Sequence, residues 1–280
     1  MCIRDRILAP SGVAGDAVIS GVAVTSATNV ILMEHTGNVL VVALRNPPAF
    51  ATALGTPAEL GGFLDGPVFQ AKFNFEAPGD LCVSADGRIL FPDTGNHVLR
   101  QVESTSTGLF VTTLAGTGQT TSEDGDILET AFDTPWGLQV DCAGQLIVTE
   151  RGDFGGGNRL RSVGVGTDPF FGGTAVDSQT LAGDGALLTL EGVEDEASLA
   201  RPSPAVSTGG GEVYWVDTAT GVLRRYDFAS GLADCPLDSD CAAAALSTPF
   251  TPGGDFAVAL DGDGGLYVLD CAAQTLFRIP

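Results

Sequence analysis

Five times along this chain a short apolar strand ends on an acidic residue, and a polar turn follows. The acids are Glu34, Asp93, Glu150, Asp217 and Asp270, separated by 59, 57, 67 and 53 residues. The strands before them are Val30–Leu32, Ile89–Phe91, Leu146–Val148, Val213–Val216 and Leu266–Val268, built from the β-branched, aromatic and aliphatic residues that strands favour. The turns hold Gly, Asn and Thr, as in Asp93-Thr94-Gly95-Asn96-His97, and lead into a returning strand. A repeat of this period dictates the fold class before any single residue is weighed.

Two further strands complete each unit. One precedes the hairpin, as in Leu81-Cys82-Val83 and Leu138-Gln139-Val140. The other follows it and ends in small residues, as in Thr113-Leu114-Ala115-Gly116 and Thr180-Leu181-Ala182-Gly183. In the fourth unit, Ala245-Leu246-Ser247 is the degraded copy of that last strand. A four-stranded unit has two faces to bury and cannot bury them alone. Packing such units around an axis gives an all-β fold, a β-propeller of four-stranded blades. Glu194–Leu199 would form a single helical turn at most.

The motifs Pro78-Gly79-Asp80-Leu81, Asp93-Thr94-Gly95-Asn96-His97-Val98-Leu99-Arg100 and Thr113-Leu114-Ala115-Gly116 resemble the NHL-repeat family. So does the link Glu123-Asp124-Gly125 to Ala131-Phe132 to Pro135-Trp136-Gly137, which recurs from Leu64 and from Glu191. The resemblance spans roughly residues 20–280. It implies a propeller, in this family most often of six blades. Five units are visible here. Two accounts stand: a five-bladed ring whose last sheet takes its fourth strand from Arg6–Gly12, or a fragment of a six-bladed ring. Residues 1–280 read as one domain, and Met1–Arg6 as a non-native or disordered start.

The net charge is −22, with 35 acidic against 13 basic residues. Nucleic-acid binding needs a positive surface that displaces counterions, and such a field repels it. No apolar run is long enough to cross a bilayer. The balance suits a protein or small-molecule ligand on the propeller rim, with no nucleic acid and no membrane insertion. Of six cysteines, Cys235 and Cys241 flank a short polar loop, the spacing of a disulfide-closed loop. That reading places the protein in an oxidising compartment, secreted or periplasmic. Cys82 lies in an apolar strand and reads as a small hydrophobe.

The rim candidates are Glu34, Asp93, Glu150, Asp217 and Asp270, with Trp136 at a blade entrance as a stacking surface. A circle of carboxylates is a donor set that Ca²⁺ accepts. Equally, Asp at a turn bonds its own backbone amides. Five copies of one residue type argue for turn building, since a catalytic set is asymmetric. Arg100, Arg161, Arg224 and Arg278 repeat in the same way, each expected to pair with a nearby carboxylate. Resemblance to propeller lactonases and amidating lyases implies an alternative, a metal-dependent hydrolase or lyase with Ca or Zn in the central channel. Channel candidates are Asp80, Gln139, Asp141 and Asp255. They form no convincing triad, and His35 and His97 both fall in hairpin turns. The reading is therefore a non-catalytic binding scaffold.

Overall fold

The computed structural model describes residues 19–24, 29–34, 37–45, 48–57, 61–76, 79–141, 144–164, 177–208, 211–236 and 250–279. Five antiparallel sheets follow one another along the chain as the blades of a β-propeller. Blade 1 contains β1 (Ile19–Val24), β2 (Asn29–Glu34), β3 (Val39–Arg45) and β4 (Pro48–Leu54). Blade 2 contains β5 (Gly66–Pro67), β6 (Cys82–Val83), β7 (Ile89–Asp93), β8 (Val98–Thr105) and β9 (Gly108–Ala115). Blade 3 contains β10 (Gly125–Asp126), β11 (Pro135–Val140), β12 (Leu146–Glu150), β13 (Arg159–Val163) and β14 (Asp177–Ala182). Blade 4 contains β15 (Gly192–Val193), β16 (Val206–Ser207), β17 (Glu212–Asp217), β18 (Val222–Asp227) and β19 (Leu232–Asp234). Blade 5 contains β20 (Phe256–Leu260), β21 (Leu266–Asp270) and β22 (Thr275–Ile279).

The first full strands of successive blades, β1, β6, β11, β16 and β20, touch each other in that order and form the inner wall. Blades 2, 3 and 4 gain something the repeat does not announce. The link entering each blade pairs briefly with that blade's last strand, as β5 on β9, β10 on β14 and β15 on β19. The fourth strand of blade 4 is β19, directly after its hairpin. Ala245–Ser247, expected in that role, lies outside the described residues, as do His35, Cys142, Cys241 and residues 1–18.

Because side chains alternate along a strand, each sheet offers one face to each neighbouring blade. Four apolar cores lie between the described blades, and a fifth cluster of Leu32, Val39 and Val41 belongs to blade 1. Met33, Leu40, Phe73, Phe75 and Phe91 fill the space between blades 1 and 2. Leu99, Phe132, Leu138 and Val148 join blades 2 and 3. Leu160, Leu199, Trp215 and Tyr226 join blades 3 and 4. Val216, Phe250, Phe256, Val268 and Phe277 join blades 4 and 5. The residue after each entering link, Phe73 or Phe132, is the plug of its core. Truncating such a ring to Ala would cost about 3–5 kcal/mol.

Trp136 belongs to this architecture. It is 4% exposed, its Nε1 donates to the Pro202 carbonyl at 2.6 Å, and the Arg151 guanidinium covers its ring at 4.8 Å. Its ring is thus stacked already, inside the protein, and offers no open face to a ligand.

Candidate functional site

The five strand-ending acids come to one rim, and all five are fully buried. Their oxygens serve the link arriving from the previous blade more than their own turns. Asp93 accepts the Asn74 amide at 2.7 Å, Glu150 the Asp133 amide at 3.1 Å, and Asp270 the Thr251 amide at 2.7 Å. Own-turn bonds occur too: Glu34 takes the Gly37 amide at 2.6 Å, Asp270 the Ala273 amide at 2.8 Å, and Asp93 the Asn96 side-chain amide at 2.9 Å. The turn-capping expectation therefore describes part of their bonding, and the larger part is a brace between blades.

Arginines close that brace in blades 2, 3 and 4. Arg100 donates to Asp93 at 2.7 Å and to Asp65 of the entering link at 2.6 Å. Arg161 reaches Glu150 at 3.2 Å and Asp124 at 2.8 Å. Arg224 reaches Asp217 at 2.9 Å and the Leu190 carbonyl at 2.7 Å. All three guanidiniums are buried, and each lies over an aromatic ring of its core: Phe73, Phe132 or Trp215. Burial pushes the Asp93 carboxyl up to about 6 and Glu150 up to about 7, against the opposing pull of their hydrogen bonds and arginines.

Arg278 departs from the expected fourth copy. Pairing in the hairpins sets Asp93 opposite Val98, Glu150 opposite Arg159 and Asp217 opposite Val222, with the buried arginine two residues further on. In blade 5, Asp270 faces Thr275, so that slot belongs to Phe277. Arg278 is one residue later, and a one-residue offset turns a side chain to the other face of the sheet. Phe277 instead packs against Phe250 with ring centroids 5.1 Å apart.

A second set of ties runs forward. Asn38, His97 and Asn158 sit in the left-handed region, with φ of 53°, 56° and 56°, at the turn before each returning strand. Asn and His tolerate that region better than most residues. Asn38 Oδ1 accepts the Phe75 amide at 2.5 Å, His97 Nδ1 the Thr134 amide at 3.3 Å, and Asn158 Oδ1 the Arg201 amide at 3.1 Å. His97 thus acts as an acceptor for the next blade's entering link. The Gly152–Gly157 loop is likewise held: Asp133 accepts the amides of Phe154, Gly156 and Gly157.

The channel candidates do not converge. Gln139 Oε1 accepts the Ser207 amide at 2.9 Å, tying β11 to β16, and Asp141 accepts the Gln145 amide at 2.8 Å in its own turn. Asp255 is exposed. Asp80 accepts the Leu81 amide at 2.8 Å, and burial pushes its carboxyl up to about 6. Among the described residues no three His, Cys, Asp or Glu side chains gather as a metal site. Among them, too, Cys82 is a free thiol, and no helix is long and apolar enough to cross a membrane.

A concave site also lies among the described residues, and the repeat gave no sign of it. A cavity of about 670 Å³ opens between blades 4 and 5 at the rim opposite the buried acids. Blade 4 supplies a polar wall. Tyr214 donates to Glu212 at 3.2 Å, and Arg225, outside the lining, holds Glu212 at 3.2 Å and Asp234 at 2.5 Å. Burial, then the Glu212 carboxylate, raises the Tyr214 phenol above its usual range. Blade 5 supplies Leu260, Leu266 and Ile279, with the Gly264-Gly265 turn and the charged Asp263 and Arg278. The one available signal was Glu212-x-Tyr214, two polar-tipped residues that share a strand face.

Comparison with known proteins supports the fold. The chain resembles virginiamycin B lyase from Staphylococcus aureus, whose catalytically inactive form was solved with quinupristin. The TM-score is 0.56 at 14% identity, covering 95% of this chain and 68% of that one. It also resembles auxiliary nutrient binding proteins from Bacteroides thetaiotaomicron (TM-score 0.63, 11% identity) and Bacteroides ovatus (0.58, 10%). In both cases it covers 94% of its own length and 58% of the other chain. At such identities the likeness establishes a β-propeller and nothing finer. No family model and no curated protein matches the chain.

Proposed function

We propose that this chain is a non-catalytic, NHL-like propeller that binds a small amphiphilic ligand between blades 4 and 5. The observation that carries this reading is the cleft, with Glu212 and Tyr214 facing Leu260, Leu266 and Ile279, and with Asp263 and Arg278 as further charged groups in its lining. Ligand pockets of this kind combine apolar surface with a few placed polar groups. Work outside the cytoplasm belongs to the same reading, as does a Cys235–Cys241 disulfide. Propellers among the structural neighbours include nutrient binding proteins, which is compatible with a binding role.

The test is a thermal-shift screen of small amines, sugars and acyl amino acids on the wild type and on Leu260→Trp, which fills the cleft. Compounds that raise the wild-type Tm and not that of Leu260→Trp support the reading. Equal shifts in both proteins refute it.

A metal-dependent hydrolase or lyase is the second reading. Asp80, a carboxyl whose proton burial retains to about pH 6, favours it. Calorimetric titration with Ca²⁺ and with Zn²⁺ decides: one tight site abolished by Asp80→Asn supports the enzyme, and no heat supports the scaffold.

A further inference from the structure

The repeat supplies its own control for what the links between blades need. Aligned on Gly116 and Gly183, the link into blade 3 carries Thr120, Thr121, Ser122 and Glu123 where the link into blade 4 carries Leu187, Leu188, Thr189 and Leu190. Ser122 and Thr189 keep a shared task, donating to Glu150 and Asp217. The other three positions have no such task. Their side chains point outward, and Leu187, Leu188 and Leu190 are 55%, 54% and 41% exposed. Val193, further along the same link, is 39% exposed. Since the polar version builds the same link, the architecture does not require these leucines. Exposed aliphatic groups grouped on one short segment mark a contact surface.

What surrounds them identifies the contact. Between Asp184 and Glu196 the link carries five acidic residues and no basic one. The side chains of Glu191, Glu194, Asp195 and Glu196 are exposed and make no hydrogen bond or ion pair with the described residues. All three brace arginines bind the same link carbonyl, of Leu64, Glu123 or Leu190, but only Arg100 and Arg161 also take the next acid, Asp65 or Asp124, so Glu191 stays outside the brace. We propose that the link into blade 4 is a docking surface for a basic amphipathic segment of a partner protein. That segment would lay an apolar face on Leu187, Leu188, Leu190 and Val193 and set Lys or Arg against the surrounding acids. Apolar contact supplies affinity there, and the complementary charges select the partner.

The probe is a fluorescein-labelled helical peptide of alternating Leu and Lys faces, with a Leu/Glu peptide of the same pattern as control, read by anisotropy. The wild type should bind the Leu/Lys peptide and not the control. Grafting the blade 3 residues, as Leu187→Thr, Leu188→Thr and Leu190→Glu together, should weaken binding at least tenfold with an unchanged circular dichroism spectrum. Leu188→Thr alone should weaken it measurably. Neutralising Glu191, Glu194, Asp195 and Glu196 to their amides should weaken it likewise and flatten its salt dependence. Binding that survives the leucine graft would reduce the effect to the general field of an acidic protein and overturn the proposal. So would no binding at all. A wild-type dimer in sedimentation that the graft dissolves would assign the surface to a second copy instead. The blade 4–5 cleft takes no part in these measurements, so the two readings stand or fall separately.

Discussion

Arg100 and Asp93 form a salt bridge of 2.7 Å in which both side chains are fully buried. The geometry explains why the motif recurs. Asp93 ends a strand of blade 2 and binds the amide of Asn74, while Arg100 binds Asp65 and the Leu64 carbonyl. One ion pair thereby holds both halves of the link that crosses from blade 1. A buried pair of this kind is no large net gain over apolar packing, but losing one partner leaves a buried charge uncompensated.

The register of blade 5 predicts unequal arginines. Arg100→Ala and Arg161→Ala should each cost about 3–5 kcal/mol, because each strands a buried carboxylate. Arg278→Ala should fall within about 0.5 kcal/mol of wild type, as surface changes do. Urea unfolding of the three variants measures this.

His97 is replaceable by the residue its counterparts use. Since Asn38 and Asn158 make the equivalent tie to the next link, His97→Asn should hold stability nearly unchanged. His97→Ala leaves the Thr134 amide without its acceptor and should cost about 1–3 kcal/mol. Thermal unfolding distinguishes the two.

Gly137 is a point of close approach between blades 3 and 4. A β-carbon there would lie 2.6 Å from the Pro204 backbone and 2.2 Å from Thr149 Oγ1. Gly137→Ala should therefore destabilise by about 1–3 kcal/mol through overpacking. Gly87→Ala meets no atom within 4 Å, so only its φ of +87° would resist it.

Asp80 gives stability a pH dependence of definite sign. Its folded-state value of about 6 lies above the ordinary 3.8, so the folded protein holds the proton more tightly than the unfolded chain. Its contribution is present in full below about pH 4 and is lost as pH rises through 6. Comparing wild type with Asp80→Asn from pH 4 to 7 should show a wild-type loss of up to about 2 kcal/mol that the variant lacks.

The fold was legible because strand period, turn chemistry and repeat length all pointed to one architecture. Partnership across blades was not. Asp93 and Asn74 are 19 residues apart, and no local pattern says that an acid bonded to Asn96 of its own turn will also take a link amide. Arg278 misled because Leu-Arg and Phe-Arg look alike as dipeptides, while the hairpin register separates them by one residue and one sheet face. Trp136 read as a rim platform because it follows Pro135 at a blade entrance, yet its indole turns inward to Pro202. The cleft between blades 4 and 5 joins Glu212 and Tyr214 to residues some fifty positions later, a distance that only the packing closes.

The most direct test of the account is a double-mutant cycle on Asp93 and Arg100, read by urea unfolding beside ligand binding. Asp93→Ala should cost about 3–5 kcal/mol, and Arg100→Met with Asp93→Ala should cost clearly less than the sum of the two single changes. An Asp93→Ala protein that unfolds at the wild-type urea concentration but no longer binds its ligand would show that the buried acids serve the ligand and not the blades.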